Sequence, residues 1–244
     1  MIGKSMINGK DSFYARYIKR ALDIACALLA LLLLSWLYAL VALRVRREFG
    51  SPVLFKQLRP GKDERLFNLY KFRSMTNARD ENGDLLPDEQ RLTTFGRRLR
   101  GTSLDELPQL WNVLLGDMSL IGPRPQLVRD MVFMTPEQRR RHEVRPGLSG
   151  LAQVSGRNAI DWDAKLQLDL DYINNISFWL DLKIVFQTIR KLIGRDASVE
   201  EIDLCDDYGD YLFNEQRIDA SYYKDKQAEA SVLIASKEKT GEML

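Results

Sequence analysis

Residues 24–43 read IACALLALLLLSWLYALVAL, twenty consecutive positions that carry no charged side chain. A helix needs about 20 predominantly apolar residues to cross the hydrocarbon core of a bilayer, so this run predicts insertion into a membrane. The residues that follow are basic (Arg44, Arg46 and Arg47) and do not form a small-residue cleavage site, which argues against a cleaved signal peptide. We therefore expect a retained membrane anchor.

Basic residues flank the apolar run on both sides. They are Arg16, Lys19 and Arg20 before it and Arg44, Arg46 and Arg47 after it. Since basic flanks favour the cytoplasmic face, these charges suit a hairpin that enters and leaves the membrane by one side. The run holds no Pro or Gly, and Ser35-Trp36 near its middle is the only candidate bend. Broken backbone at membrane depth must find partners for its polar groups, so the residues taken alone favour an unbroken span.

The composition indicates one sizeable core with an attachment at each end, because the 244 residues are 45% hydrophobic and 29% charged. Residues 197–244 hold 12 acidic and 5 basic side chains, so they carry a net charge of −7 while residues 1–196 carry +9. A basic body suits anionic partners such as lipid headgroups or nucleotides. Two cysteines, Cys26 and Cys205, are too few for a disulfide framework and fit a reducing compartment.

The body after the anchor has the pattern of a mainly helical α+β fold. Residues 53–58 and 66–72 predict a hairpin with a Pro-Gly turn at residues 59–62. Helices are expected at residues 91–100, 104–115, 161–174 and 178–193, with a polar surface loop at residues 76–88. The last helix mixes aromatic and basic residues, which suits either a membrane interface or an ordinary core.

The stretch TSLDELP at residues 102–108 is the most conspicuous candidate for chemistry. Ser103 with Glu106 three residues later matches a capping box, so the segment is also a plausible helix start. Pro108 would then lie inside the helix and crowd an earlier carbonyl, so a start nearer Asp105 suits it better. A carboxylate at a helix N-terminus stays ionised, and such an aspartate can attack phosphorus while its neighbour holds a metal ion. The spacing leaves both interpretations open.

Polar side chains set among Gly and Pro accompany the acidic pair. They are Asn112, Asp117, Arg124, Arg145, Gln153, Arg157 and Asn158. Arginines on loops stiffened by proline suit phosphate, which they grip with paired donors. The sequence has no Walker-type loop and no dinucleotide glycine fingerprint, so nucleotide binding needs another design.

Two further features point to rival chemistry. Asp169-Leu170-Asp171 has the Asp-x-Asp spacing of metal-dependent glycosyltransferases, but it lies in a predicted helix, where residues two apart point to different faces. The lone histidine, His142, lies in a charged run and suits an exposed or loop-anchoring role. With no second histidine, a Ser/His/Asp centre or a histidine-ligated zinc site is not expected.

Six ordered motifs together resemble the bacterial sugar transferase family, in the small form of the monotopic polyprenyl-phosphate phosphoglycosyl transferases. The motifs are residues 71–75 (KFRSM), 103–112 (SLDELPQLWN), 116–119 (GDMS), 122–125 (GPRP), 145–147 (RPG) and 156–158 (GRN). The resemblance covers residues 17–195. We expect an N-terminal segment and anchor at residues 1–47, a catalytic domain at 48–199 and, outside the resemblance, an acidic tail at 200–244. The tail is weakly periodic, so we expect it to be partly ordered or disordered.

The resemblance implies that a sugar 1-phosphate passes from a UDP-sugar to undecaprenyl phosphate with release of UMP, the first membrane step of lipid-linked glycan assembly. Asp105 would be the nucleophile that forms a covalent phosphosugar intermediate. Glu106 would help to bind Mg²⁺, with Asp169 near the same site. The implied phosphate contacts are Arg124, Arg145, Arg157, Asn158, Lys71 and Arg73.

The family also implies a re-entrant anchor in the bacterial cytoplasmic membrane, with amphipathic interfacial helices around an active site that faces the cytoplasm. The bend would lie at Ser35-Trp36, where the family commonly has Ser-Pro. Membrane lipid is then a partner and nucleic acid is not. Downstream glycosyltransferases and a second copy of the chain stay open as partners.

Two functions from other classes compete with this one. A metal-dependent glycosyltransferase that uses Asp169 and Asp171 would release UDP in place of UMP. A non-catalytic membrane scaffold would bind anionic lipid through its basic face, recruit a partner through its acidic tail and tolerate Asp105→Asn.

Overall fold

The computed structural model describes residues 9–156, 160–193 and 207–241 of the chain. Within these ranges the chain is mainly helical with a small antiparallel hairpin, as predicted, and with one short parallel strand pair. The α-helices are α1 (Lys19–Leu33), α2 (Ser35–Phe49), α3 (Asp88–Arg91), α4 (Thr94–Gly101), α5 (Gln109–Leu115), α6 (Val128–Met131), α7 (Pro136–Arg139), α8 (Leu151–Ser155), α9 (Trp162–Asn174), α10 (Phe178–Ile193), α11 (Tyr208–Asn214) and α12 (Ala220–Gly241). The strands are β1 (Leu54–Pro60), β2 (Leu66–Phe72), β3 (Ser119–Ile121) and β4 (Gly147–Ser149). Short 3-10 turns lie at Gly9–Asp11, Lys62–Glu64, Leu104–Glu106 and Arg140–Glu143, and a π-helical turn at Tyr14–Ile18 precedes α1.

The apolar run forms two helices, α1 and α2, that are bent by 65° relative to each other. The break lies at Leu34, whose φ of −98° and ψ of 9° leave the helical region, and the Ser35 hydroxyl donates to the Leu32 carbonyl at 2.9 Å. No single described helix is both long and apolar enough to cross a bilayer, whereas α1 extended back to Tyr14 meets that requirement together with α2. The expectation of an unbroken span is therefore wrong, and the bend lies where Ser35-Trp36 predicted it. The serine hydroxyl supplies one of the polar partners that broken backbone needs in apolar surroundings.

Large apolar side chains are exposed along the anchor and along two other helices. On α1 and α2 they include Leu28, Leu29, Leu32, Leu33, Trp36, Leu40 and Leu43; on α5 they are Trp111 and Leu115; on α10 they are Phe178, Trp179, Val185, Phe186, Ile189, Leu192 and Ile193. An exposed apolar surface on this scale marks a region that contacts another molecule or a membrane.

The predicted hairpin is present, with β1 and β2 paired antiparallel along their whole lengths. A side chain, Asn112 of α5, bonds to the outer edge of β2. Fully buried, it accepts from the Tyr70 N–H at 3.1 Å and donates to the Asn68 carbonyl at 2.7 Å. Buried backbone groups need such partners when no further strand pairs with them. Asn112 thus fastens α5, and with it the acidic pair just before α5, to the hairpin.

The helix expected over residues 104–115 is divided in two. Leu104–Glu106 forms a 3-10 turn, and α5 begins only at Gln109, directly after Pro108. Ser103 has a φ of 58° and its side chain makes no capping hydrogen bond, so the capping-box interpretation is wrong. A capping serine needs extended backbone, which Ser103 does not have. The acidic pair therefore lies in a tight turn ahead of α5, and Pro108 stands at the helix start, where it is tolerated.

The Gly/Pro-rich segments that the sequence presents as loops contain the parallel pair β3 and β4. Each strand has three residues, too few for an alternating pattern to be visible in the sequence. The segments are in close contact, because a Cβ at Gly150 would lie 2.1 Å from the Gly122 carbonyl oxygen. Glycine at position 150 therefore allows the backbones to meet. This contact fixes the start of the loop at residues 122–125.

A buried polar network joins the start of the anchor to α9 and α10, the two helices that match their predicted positions. The Asp181 carboxylate accepts from Tyr14 at 2.8 Å, from Lys19 at 2.6 Å and from Tyr172 at 2.8 Å. A buried carboxylate is tolerated when it is paired and hydrogen-bonded in this way. The network holds the aromatic helix α10 against the N-terminal end of the anchor.

The acidic tail is ordered over residues 207–241, where α11 and α12 pack against α6. Tyr208, Leu212 and Ala230 are buried in one apolar cluster with residues of α6. Of the two expectations for the tail, partial order is the one that agrees with these helices. Among its described side chains α12 buries only Ala230, which explains why the periodicity of the tail is weak. Cys26 is exposed and unbridged, and Cys205 lies outside the described residues.

Candidate active site

The acidic pair lies where three separate elements meet. Asp105 is buried in the 3-10 turn before α5, and Glu106 follows it. Glu106 Oε1 accepts from Lys71 Nζ of β2 at 3.1 Å and from Arg124 Nη2, in the loop after β3, at 3.2 Å. Of the residues predicted for the site, the structure thus brings together Asp105, Glu106, Lys71 and Arg124.

The pKa values of the two neighbouring carboxyl groups are shifted in opposite directions. Burial, together with the charge of Glu106, raises the pKa of Asp105 to about 6, although Lys71, Arg100 and Arg124 act against this rise. Burial also acts to raise the pKa of Glu106, but Lys71 and Arg124 outweigh it and hold that pKa well below its usual range. Adjacent acids whose pKa values are pushed apart are typical of catalytic centres. Glu106 is charged throughout the physiological range, and Asp105 is mostly ionised at neutral pH.

Asp169 is connected to the site through a buried arginine. Arg141 donates to Asp169 Oδ2 from Nε at 2.9 Å and from Nη2 at 2.7 Å, and the same Nη2 donates to the Arg124 carbonyl at 2.7 Å. Both partners of this ion pair are almost fully buried. Asp169 therefore neutralises the arginine that holds the Arg124 loop, and its binding to a metal ion stays a prediction.

Other residues predicted for the site have structural contacts. Arg73 is buried, donates to the Pro52 carbonyl at 3.1 Å and lies over the Phe49 ring, so it joins the hairpin to the end of the anchor. Arg145 donates from Nε to the Gly116 carbonyl at 2.8 Å, at the C-terminal end of α5. Their phosphate contacts stay predictions. Arg157 and Asn158 lie outside the described residues.

One cation near Asp105 was missed by reasoning from the sequence. Arg100 of α4 acts electrostatically on Asp105, and its Nε donates to Ser74 Oγ at 2.9 Å. The signal was its place in the basic helix that ends just before the acidic pair.

Two rival features have other roles in the structure. Asp171 is exposed and accepts from Gln167 of the same helix at 2.9 Å, whereas Asp169 points inward, so the Asp-x-Asp motif does not form a pair of metal ligands. His142 is buried and not exposed, and its ring Nδ1 bonds to the Arg139 carbonyl at 3.2 Å, which is the loop-anchoring role. Burial, reinforced by Arg141, lowers the pKa of His142 to about 3.

The described residues contain no group of three or more His, Cys, Asp or Glu side chains that would enclose a metal ion. Mg²⁺ does not require such a group, because it usually takes one or two carboxylates and fills its remaining positions with water and substrate phosphates. Lys71 and Arg124 both bond to Oε1 of Glu106, so Oε2 is the oxygen that faces fewer cations. The acidic pair fits a Mg²⁺ ion that arrives with a diphosphate.

Comparison with known proteins agrees with this geometry. The model of the bacterial sugar transferase family matches residues 14–195. The chain is 52% identical over 176 residues to the uncharacterized sugar transferase EpsL of Bacillus subtilis (strain 168), covering 72% of this chain and 87% of that protein. It is 41% identical over 191 residues to the UDP-glucose:undecaprenyl-phosphate glucose-1-phosphate transferase of Caulobacter vibrioides, covering 74% and 71%. It is 44% identical over 185 residues to the UDP-N-acetylgalactosamine-undecaprenyl-phosphate N-acetylgalactosaminephosphotransferase of Aeromonas hydrophila, covering 72% of this chain but 44% of that longer protein.

The candidate site holds two adjacent carboxylates, of which Glu106 is kept ionised by Lys71 and Arg124. The family match extends over more than half of the chain. The chain belongs to the bacterial sugar transferase family, and it is a transferase.

Proposed function

We propose that this protein transfers a sugar 1-phosphate from a UDP-sugar to undecaprenyl phosphate and releases UMP. The Caulobacter and Aeromonas relatives are named for transfers of this kind to undecaprenyl phosphate. The observation that carries the proposal is the buried Asp105 beside a Glu106 that Lys71 and Arg124 keep ionised. The product would begin the assembly of a lipid-linked glycan.

The transfer takes place in two displacements at one phosphorus atom. The Asp105 carboxylate attacks the phosphorus that bears the sugar, the bond to the bridging oxygen breaks, and UMP leaves with that oxygen and its electron pair. An oxygen of undecaprenyl phosphate then attacks the same phosphorus and displaces Asp105, which regenerates the free carboxylate. Two such steps are the pattern of covalent catalysis.

Lys71 and Arg124 have a second role in this proposal. Both form ion pairs with Glu106, next to Asp105. There they offset the negative charge that the donor diphosphate brings to Asp105. Mg²⁺, when bound, would neutralise the diphosphate and help UMP to leave. Glu106 is the residue that would hold it. Lys71, Arg100 and Arg124 also act electrostatically on Asp105, the attacking group in this proposal.

The exposed apolar faces of α1, α2, α5 and α10 support a membrane location. With a bend of 65° between α1 and α2, the anchor is suited to enter one leaflet and return, which puts both basic flanks on one side. Because nucleotide sugars are soluble cytoplasmic compounds, we place the site on the cytoplasmic face of the bacterial inner membrane. Downstream glycosyltransferases, a homodimer and domain limits at residues 47 and 199 stay predictions.

If the anchor is re-entrant, a reagent on one side of the membrane should react with both ends of the anchor. Single cysteines introduced by Asp11→Cys and Ser51→Cys, with Cys26 and Cys205 replaced by serine, should both react with a membrane-impermeant maleimide in inverted inner-membrane vesicles. Neither should react in intact spheroplasts. Labelling of the two positions from opposite sides would show a spanning helix instead.

The nucleotide product tests the reaction itself. Protein reconstituted in nanodiscs would be given undecaprenyl phosphate, Mg²⁺ and a panel of UDP-glucose, UDP-galactose, UDP-N-acetylglucosamine and UDP-N-acetylgalactosamine. We expect UMP and a lipid-linked diphosphosugar from at least one donor. Release of UDP would indicate the glycosyltransferase alternative, and release of neither nucleotide with correctly folded protein would support the scaffold.

The raised pKa of Asp105 predicts an acid limit for the first displacement. Burial and Glu106 raise this pKa to about 6, so the attacking carboxylate is protonated below that pH and ionised above it. UMP release in the absence of lipid acceptor should be level above pH 7 and fall about tenfold per unit well below pH 6. Because the lipid acceptor is omitted, the ionisation of its phosphate group does not contribute to the pH dependence of UMP release. A rate that stays level down to pH 5 in still-folded protein would contradict the assignment.

A further inference from the structure

The loop that carries Arg124 is held by two arginines from other parts of the fold. Arg141 Nη2 donates to the Arg124 carbonyl at 2.7 Å, and Arg59 Nη1 donates to the Pro125 carbonyl at 3.1 Å. Two consecutive carbonyls are thereby fixed. Arg141 is neutralised by Asp169, whereas Arg59, at the end of β1, has a different set of partners.

Arg59 lies among groups of both charges. Its Nη2 donates to Gln57 Oε1 at 2.7 Å, and its Nε is buried with no hydrogen-bond partner among the described residues. Burial, together with the nearby charge of Arg124, lowers the pKa of Arg59 to about 10, while Asp130 and Asp207 oppose this change. Arg59 is therefore charged at neutral pH. Its guanidinium donates to a backbone carbonyl of the Arg124 loop. Its charge repels the Arg124 guanidinium, which pairs with Glu106.

The two carboxylates that attract Arg59 are linked to the C-terminal tail. Asp207 is a tail residue and forms an ion pair with Arg129 of α6. Asp130 accepts the Tyr208 N–H at 3.0 Å and the Leu127 N–H at 2.9 Å, so it joins the tail to the residue at which α6 starts. This junction follows the Arg124 loop directly in the chain. The tail lies outside the match to the family, which ends at residue 195.

We propose that Arg59 is a positioning residue for the transfer reaction, holding the loop that presents Arg124 to the donor diphosphate, and that Asp207 and Tyr208 of the tail hold the segment that follows this loop through their bonds to Arg129 and Asp130. The inference rests on the proposed function. Its consequence is that a segment outside the family match supports the site. Because Arg59 has no contact with Asp105 or Glu106 among its hydrogen bonds, its loss should weaken donor binding more than it slows chemistry.

The test is a comparison of steady-state UMP release by the full-length chain in nanodiscs, with the best UDP-sugar of the panel as donor. For Arg59→Met we expect KM for the donor to rise about tenfold while kcat changes less than about threefold. Arg59→Lys keeps the positive charge but lacks the planar set of N–H donors of the guanidinium, so it should recover part of the donor affinity that Arg59→Met loses. Asp207→Asn should raise KM about threefold, since the ion pair with Arg129 that ties the tail to the segment after the Arg124 loop is lost.

Asp163→Asn is the matched control for Asp207→Asn. Asp163 forms another ion pair between the body and the tail, with Arg217 at 2.6 Å, but from α9 and not from α6. This control should leave KM unchanged. If Arg59→Met lowers the melting temperature without changing KM, Arg59 is merely structural and the inference is overturned. If the wild-type chain releases no UMP, the proposed function itself fails. This outcome can be told apart from failure of the inference because it is measured on the wild type alone, before any variant is compared.

Discussion

Asp105→Asn is expected to lower UMP release by at least about 1,000-fold, because the amide has the shape of the carboxylate but cannot form the covalent bond to phosphorus. The fold should tolerate this substitution. Since burial and Glu106 already disfavour the charged form of Asp105, its neutral replacement should leave the melting temperature equal or higher. Such a gain in stability with a loss of activity is typical of a strained catalytic centre.

Donor binding is the control for Asp105→Asn. The variant retains Lys71, Arg124 and Glu106, so its affinity for UDP-sugar with Mg²⁺, measured by calorimetry, should remain within about threefold of the wild type. Full activity in this variant would support the scaffold or another nucleophile. A loss of donor binding together with activity would mean that Asp105 serves the substrate site and not the chemical step.

Asp169→Asn has the second largest expected effect, and that effect is on stability. It leaves the guanidinium of Arg141 buried without its counter-charge, a change that costs about 3–5 kcal/mol in other proteins. For a chain of this size the melting temperature should fall by roughly 10 °C. Activity should fall in parallel, because Arg141 holds the carbonyl of Arg124.

Asp171→Asn is the matched control, two residues away on the exposed face of the same helix. It should change neither stability nor activity, whereas a glycosyltransferase based on the Asp-x-Asp motif would need both carboxylates. Asp169→Leu combined with Arg141→Met removes both buried charges and should restore much of the stability but not the activity. If Asp169→Asn abolishes activity with an unchanged melting temperature, Asp169 is a metal ligand and not the partner of an arginine.

The predicted site residues that the structure brings together belong to contiguous motifs. Asp105 and Glu106 are adjacent in the chain, and the Gly/Pro-rich setting of Arg124 already indicated a rigid loop. The bend of the anchor at Ser35 was visible as the one polar interruption of an apolar run. Strands β1 and β2 and helices α9 and α10 were predicted because their periodicity extends over seven or more residues.

What the sequence did not show depends on contacts between distant residues. Arg141 and Asp169 are 28 positions apart, and Arg59 and Pro125 are 66 positions apart. No local spacing in the sequence therefore predicts either contact. An arginine in a loop has the same appearance whether it binds phosphate, as proposed for Arg124, or a carbonyl, as Arg145 does. The sequence left the order of the tail open because the apolar residues of the tail become a core only when α6 is packed against them.

The covalent intermediate tests the central claim most directly. Wild-type protein in nanodiscs would be mixed with UDP-sugar and Mg²⁺ without lipid acceptor, quenched in acid and measured by intact mass and peptide mapping. The account predicts at most one equivalent of UMP and one phosphosugar per chain, attached to Asp105, absent in Asp105→Asn and discharged by undecaprenyl phosphate. A preparation that turns over with acceptor yet shows no adduct, or an adduct on another residue, would contradict it.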